Sequence, residues 1–257
     1  SGPSMAPIAG RYYAEIDSEV PNVIIADTGG TTFDVSLVRQ GRIPMTKETW
    51  IGQPYRGHMT GFPSIDIKSV GAGGGSIAWV DSGGLLHVGP QSAGAVPGPV
   101  CYGRGGKRPT VTDANLLLGR IDVDVPMGKG VRLNIEAARC AVEQEVGNPL
   151  GINVLEAAQG IVEIANAAMS RAIQVMSVER GIDPREILLV AYGGAGPLHA
   201  ADVAQELNIP SVLVPQHPGL LSALGTLLSD PAQERSQTFL TQTPVSYTHL
   251  PAHETDS

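Results

Sequence analysis

The apolar positions of this chain change period partway along it. Residues 22–26, NVIIA, form an unbroken apolar run that reads as a buried strand. Phe33, Val35 and Leu37 then alternate with Asp34, Ser36 and Arg39, the period expected of a half-buried strand. Gln40-Gly41 is a turn signal, and residues 43–50, IPMTKETW, predict a third strand of the same meander. Residues 52–64, with Gly52, Pro54, Gly57, Gly61 and Pro63, read as loop. Residues 65–89 predict strand, glycine loop, strand, Ser-Gly-Gly turn and strand. An ordered surface loop rich in Gly and Pro follows to about residue 109.

Beyond this point the pattern becomes helical. Residues 112–120, TDANLLLGR, start with Thr or Asp as a cap and stop at glycine. Asn134 to about Val146 is amphipathic. Val154–Arg180 carries Ile161, Ile164, Ala165, Ala168, Ala172, Val175 and Met176 and ends at Gly181, which predicts a long, Ala-rich, largely buried helix. Residues 187–207 read as strand, glycine turn and helix, residues 211–215 as a strand, and residues 219–230 as a short helix. Strands first, then helices alternating with strands, predict an α/β domain with a mixed sheet.

Composition narrows the classes. The chain has 257 residues, which suits one large domain or two modest ones, and aromatics are only 4%, so the core must be aliphatic. A formal charge of −8 argues against a nucleic-acid backbone binder, which needs clustered Lys and Arg. It leaves room for a nucleotide held by backbone N–H groups and a metal. Cys101 and Cys140 are far apart and form no CxxC, the usage of reduced thiols in a cytoplasmic protein. No apolar run reaches the roughly 18 residues of a spanning helix, so no membrane is expected. Residues 244–257 break in character from what precedes them and read as a non-native tail, leaving 1–243 as the expected domain. Within that tail His249 and His253 are four apart, but Pro251 lies between them and opposes the helix that would align them.

The candidate chemistry lies in two glycine turns. In IIADTGGTTFD, residues 24–34, an apolar strand ends at Asp27. Gly29 and Gly30 lack Cβ atoms and permit close backbone approach, their N–H groups can face phosphate oxygens, and Thr31 and Thr32 add hydroxyl donors. Asp27 at the strand end can hold a Mg²⁺-bound water or orient a nucleophile, with Asp34 in support. In AYGGAGPLHA a strand runs into Gly193, Gly194 and Gly196, and Pro197 opens a helix, an anion- or nucleotide-binding corner. Neither turn fits the GxGxxG or Walker A pattern. A DxGGT hairpin plus a distant strand-GGxG-helix suggests an actin-like ATPase arrangement, one turn clamping phosphates and the other lying against adenosine.

Other residues keep alternatives open. GAGGGS, residues 71–76, permits close approach to a phosphate or substrate, or is a crossover loop packed under the Pro-rich segment. Cys101 lacks a paired His and reads as structural. Arg104 is either a clamp for a carboxylate or phosphate, or a surface side chain. Asp113 caps a helix or binds Mg²⁺. His199 is a packed imidazole or a polar wall of the nucleotide pocket, and Asn166 reads as a satisfied buried amide. His58 and His87 carry no interpretable spacing.

The chain resembles the hydantoinase A/5-oxoprolinase family, which includes N-methylhydantoinase subunits and acetone and acetophenone carboxylase subunits. The resemblance is carried by DTGGTTFDVSL, DIKSVGAGGGSIAWVDSGG, GPQSAGAVPGPVCYGRGGKRPTVTDANLLLGR, IANAAMSRAI, SVERGIDPRE, AYGGAGPLHA and VPQHPGLLSALG, over about residues 1–230. It implies an actin-like ATPase fold with ribonuclease-H-like lobes. This chain would then be an internal fragment lacking an N-terminal lobe with its own phosphate hairpin. It also implies that Asp27, Gly29, Gly30, Thr31 and Thr32 serve the phosphates and Mg²⁺, with Asp27 and Thr31 in the chemistry, and that Gly193, Gly194 and Gly196 serve adenosine. Lys68 stands where the family often has His.

The activity so implied is ATP-dependent hydrolysis of a cyclic amide of the hydantoin or 5-oxoproline type, with a hydantoinase B-type second subunit. Phosphorylating the lactam carbonyl oxygen gives an imidate-phosphate that water attacks readily, chemistry that needs positioned phosphates and neutralised charge. Two alternatives stand beside it: a ketone carboxylase subunit, and an isolated nucleotide-binding lobe without activity of its own.

Overall fold

A computed structural model of the chain describes residues 2–52, 55–125 and 131–229; Pro54 and the tail from 230, with His249 and His253, lie outside the described residues. Helix α1 (Gly2–Asp17) leads into the hairpin β1 (Asn22–Thr28) and β2 (Phe33–Arg39). An arm of two-residue strands follows: β3 (Met45–Thr46) pairs with β6 (Ser64–Ile65), and β4 (Trp50–Ile51) with β5 (His58–Met59). β7 (Ile67–Val70) returns to lie against β2, and β8 (Ser76–Val80) and β9 (Leu86–Ser92) make a second hairpin. The helical half comprises α2 (Val111–Leu117), α3 (Ile135–Val142), α4 (Asn148–Leu150) and α5 (Val154–Met176). Then come β10 (Ile187–Tyr192), α6 (Gly196–Leu207), β11 (Ser211–Leu213) and α7 (Leu221–Leu228).

The central sheet is ordered β11-β10-β1-β2-β7. β7, β2 and β1 are antiparallel, whereas β10 and β11 are parallel to β1 and reached through helices. This three-strand meander followed by parallel crossover strands is the mixed sheet of an actin-like, ribonuclease-H-like lobe. Side chains alternate faces along a strand, and here both faces are buried. Ile24 and Ala26 of β1 join Leu189 of β10 and Val203 of α6 in one core. Val23 and Ile25 point the other way and join Ala6 and Ala9 of α1 and Leu221 of α7. A third core lies between the β8–β9 hairpin, α2, α3 and the first half of α5, around Ala78, Leu116, Val142 and Ile161. The 23-residue α5 contributes Ile161 to this core and Met169 and Ile173 to the sheet core, joining the two bodies.

Several expectations are corrected. Residues 43–50 supply no third strand to the central sheet; that place is taken by β7, and IPMTKETW is divided between β3 and β4 in the arm. β2 is not half-buried: Ser36 and Val38 are buried as well as Phe33, Val35 and Leu37, because α1 covers the face that alternation assigned to solvent. The long helix stops at Met176, where Ser177 turns its hydroxyl back onto the Ile173 carbonyl at 2.7 Å; a short 3₁₀ turn then runs to Arg180, before Gly181 in the left-handed region. The amphipathic segment after Asn134 passes through one π-helical turn, Glu143–Gly147, before α4. Helix α1, carrying Pro7 in its interior, has no counterpart among the elements expected from the sequence.

Candidate functional site

The two glycine turns meet. β1 and β10 are adjacent and parallel, with Asp27 opposite Tyr192, so both strands deliver their turns at the same end of the sheet. Ala195 donates its N–H to the Thr28 carbonyl at 3.0 Å. Gly193, with φ +84, lies so close to Asp27 Oδ1 and Thr28 O that a Cβ there has no room. Gly29, Gly30, Gly193 and Gly194 line one cavity of about 510 Å³, together with Gly74, Thr112, Arg120 and Pro197. That volume lies in the range of small-molecule sites.

The loop Gly71–Gly75 is the floor that fixes the first turn. Gly74 N donates to Gly29 O at 3.0 Å and Gly75 N to Gly30 O at 2.6 Å. A Cβ on Gly73 would sit 2.6 Å from Thr31 N, so only glycine fits. Thr112 closes the arrangement from α2, its N and Oγ1 both donating to Gly74 O at 2.8 Å. Of the two readings of GAGGGS, close approach to a ligand through free N–H groups does not hold at Gly73–Gly75, because Gly73 N also donates internally, to Ser76 Oγ at 2.9 Å. The loop is packed between the phosphate-type turn and the start of the Pro-rich segment, where Ala93 N donates to Gly75 O at 2.8 Å and Pro90 lies against Gly71, as the crossover-loop reading expects.

The other predicted residues divide. Gly196 begins α6 and packs beside Thr28 Oγ1, behind the cavity wall. Thr32 Oγ1 donates to Asp34 Oδ2 at 3.1 Å, whereas Thr31 is exposed with its hydroxyl 3.3 Å from Ser92 Oγ. Asp27 faces Asp34 across the hairpin register. Burial first, and the Asp34 charge second, push the Asp27 carboxyl up to about 6, while the neighbouring Tyr192 hydroxyl pulls it down. The Tyr192 phenol is itself pushed up by burial and by these carboxylates. Two opposed carboxylates whose repulsion a divalent cation would relieve fit Mg²⁺, which binds through one or two carboxylates and keeps its waters. Among the described residues no larger group of His, Cys, Asp or Glu is gathered for a metal.

Asp113 is fully buried and accepts from Val100 N (3.2 Å), Cys101 N (2.7 Å) and both Thr110 N (2.9 Å) and Oγ1 (2.8 Å). It is the third residue of α2 and closes a capping box with the N-cap Thr110, and these bonds fix the Pro-Val-Cys turn. Cys101 is buried and its thiol is pushed up by burial and by Asp113, the opposite of an activated nucleophile. His199 is 1% exposed; Nδ1 donates to Asn166 Oδ1 at 2.7 Å and Nε2 accepts from Asn115 Nδ2 at 3.4 Å. Burial first and Arg120 second hold its pKa down to about 4, so it is a neutral packed imidazole, and Asn166 is the satisfied amide expected. Lys68 is exposed on the edge strand, and His58 is exposed in the arm. His87 bonds Asp81 at 2.7 Å and stacks on Trp79. Arg104 is exposed and does not line the cavity; the arginine that does is Arg120, just past the glycine that ends α2. Nothing in its local spacing marked it, since its role depends on α2 lying beside α6.

A cleft between two glycine turns at the ends of adjacent strands defines the class, an α/β lobe of the actin-like ATPase fold. The chain belongs to the hydantoinase/oxoprolinase family, whose model matches residues 1–235. It is 45% identical over 230 residues to the caprolactamase subunit alpha of Pseudomonas jessenii, covering 90% of this chain and 32% of that protein. The crystal structure of that ATP-dependent caprolactamase superposes with a TM-score of 0.79, covering 88% of this chain and 32% of that one. A nucleotide-free structure of acetone carboxylase, 30% identical, gives the same TM-score of 0.79, with 88% of this chain and 31% of that one covered. The chain thus spans about a third of the length of these relatives. No helix among the described residues is long and apolar enough to cross a membrane.

Proposed function

We propose that this chain is part of the ATP-binding lobe of an ATP-dependent cyclic-amide hydrolase, acting on a lactam or hydantoin ring with a second subunit. The observation that carries the reading is the convergence of the Gly29–Gly30 and Gly193–Gly194 turns on one cavity. It is supported by the 45% identity to a caprolactamase subunit. ATP would supply the phosphoryl group that turns the ring carbonyl into an electrophile. The chain's part is positioning and charge control. Gly30 presents bare backbone to the phosphates, while Gly29, whose N–H donates to Thr32 O at 3.0 Å, closes the turn that holds it there. Asp27, with Asp34 opposite it, would hold Mg²⁺, which would neutralise charge on the phosphates. Gly193, seated on Asp27, sets the second turn against the nucleoside, and Gly194 opens that turn to it.

The test uses the full-length protein with its partner subunit. ATP hydrolysis stimulated by caprolactam, hydantoin or 5-oxoproline, with ring-opened product, is the expected result. Turnover that instead requires bicarbonate and a ketone would overturn the amide reading in favour of carboxylation. Absence of Mg-ATP binding by calorimetry would overturn the nucleotide site itself.

A further inference from the structure

Among the described residues lining the cavity, Arg120 carries the only formal charge. It is held from behind. Its Nη1 donates to Leu198 O at 3.2 Å and to Asp202 Oδ2 at 2.7 Å. The same carboxylate oxygen accepts Asn166 Nδ2 at 3.1 Å, and Asn166 Oδ1 takes the Nδ1–H of buried His199. A chain of side chains from α5 and α6 thereby fixes one edge of a planar group and leaves its faces and remaining N–H groups unclaimed by these bonds. The position along the cavity is also defined. Thr112, at the start of α2, is bonded to the loop beneath the Gly29–Gly30 turn, and Arg120 follows the other end of that helix. Seven helical residues span about 10 Å. Arg120, with Ile121 and Leu198, therefore stands away from the phosphate-type turn, at the end where a nucleotide's base would lie.

We infer that Arg120 is the group that seats the nucleotide base, by stacking its guanidinium on the ring, and that Asp202 is the positioning residue that presents it. This rests on the nucleotide reading above. A guanidinium pinned at one edge keeps its plane and loses little freedom on stacking, which a lysine ammonium cannot match. In a chain of net charge −8, a single cation placed here rather than at the glycine turns serves orientation more than bulk attraction.

Calorimetry on the full-length protein with Mg-ATP and with Mg-tripolyphosphate separates the cases. Arg120→Ala is expected to weaken ATP on the order of tenfold and to leave tripolyphosphate unchanged. Arg120→Lys, which keeps a cation within reach of Asp202 and guards against a folding defect, should lose ATP to a similar degree. Asp202→Asn should cost ATP a few-fold, and nothing more in the Arg120→Ala background. If the wild type binds no Mg-ATP, the nucleotide reading fails and this inference with it. If the wild type binds and Arg120→Ala binds equally well, only the inference fails. Equal loss of ATP and tripolyphosphate would make Arg120 a phosphate ligand, full retention by Arg120→Lys would make it a point charge, and additive loss in the double variant would remove Asp202 as its positioning residue; each overturns the proposal.

Discussion

The Gly71–Gly75 loop and the Gly29–Gly30 turn are neighbours and both rich in glycine, yet their glycines answer different demands. At Gly73 and Gly75 the absent Cβ leaves room for the protein's own backbone: Thr31 N and Gly30 O would each lie 2.6 Å from it. At Gly30 a Cβ would meet nothing within 4 Å, and the same holds for Gly194, whereas Gly193 is filled by Asp27 and Thr28. φ is positive at Gly193 but not at Gly29, Gly30 or Gly194. Folding therefore explains glycine at 73, 75 and 193 and leaves it unexplained at 30 and 194, the positions open to the cavity. A ligand approaching the backbone would explain those.

That contrast is broken or kept by paired substitutions. Gly73→Ala forces a methyl into the Thr31 backbone, and overpacking of this kind costs about 3 kcal/mol or more. The expected outcome is loss of soluble protein or a large drop in the urea midpoint. Asp27→Ala should reduce ATP turnover of the intact complex by on the order of 10² without lowering the urea midpoint at pH 7, because burial disfavours the ionised carboxylate it removes; near-normal turnover would remove Asp27 from the mechanism. Gly30→Ala should fold like the wild type and weaken Mg-ATP on the order of tenfold by calorimetry, because the new methyl occupies space the phosphates need. A Gly30→Ala protein that binds normally would return both turns to a purely structural role.

Much of this division could not be seen in the chain alone. The β1–β2 hairpin, β10, α5 and α6 follow from apolar period and glycine punctuation, since each forms its hydrogen bonds locally or with an obvious partner. The place of β7 did not, because edge pairing depends on where the arm of residues 45–65 returns, and that is set by three-dimensional closure. The same limit applies to β2, whose second buried face exists only because α1 packs there. DTGGT and GGAG were visible as turns, but GAGGGS looked the same in composition. Only its hydrogen bonds to Gly29 and Gly30 show that its donors are already engaged. Arg104 drew notice as the charge in a glycine loop, whereas Arg120 earned its place through contacts with Leu198 and Asp202, far away in sequence.

The carboxylates beneath the first turn give a pH test. With an ordinary value near 3.8 in the unfolded chain and about 6 in the fold, Asp27 keeps a proton in the native state that the unfolded state has released. Its contribution to stability therefore falls as pH rises from about 4 to 6, and Asp27→Asn should flatten that part of the profile. Mg²⁺ needs the ionised carboxylate, so stabilisation by MgCl₂ should grow as pH rises through 6. Thermal melts with and without MgCl₂ read both effects, and a Mg²⁺ effect independent of pH would detach the metal from Asp27.

The smallest contrast lies within the turn itself. Thr32 is half-buried and donates to Asp34, so Thr32→Val removes a hydrogen bond to a carboxylate and should cost about 1 kcal/mol of stability. Thr31 is exposed and its 3.3 Å approach to Ser92 is between hydroxyls that water can replace, so Thr31→Val should stay within about 0.5 kcal/mol. If Thr31 faces the phosphates, its substitution should instead appear in ATP affinity, the reverse of the Thr32 pattern. Urea midpoints and Mg-ATP titrations on the two variants give a two-by-two outcome. Stability loss confined to Thr32→Val and affinity loss confined to Thr31→Val would place the line between scaffold and ligand surface between two adjacent residues. Equal loss of stability in both would show that the turn is scaffold throughout.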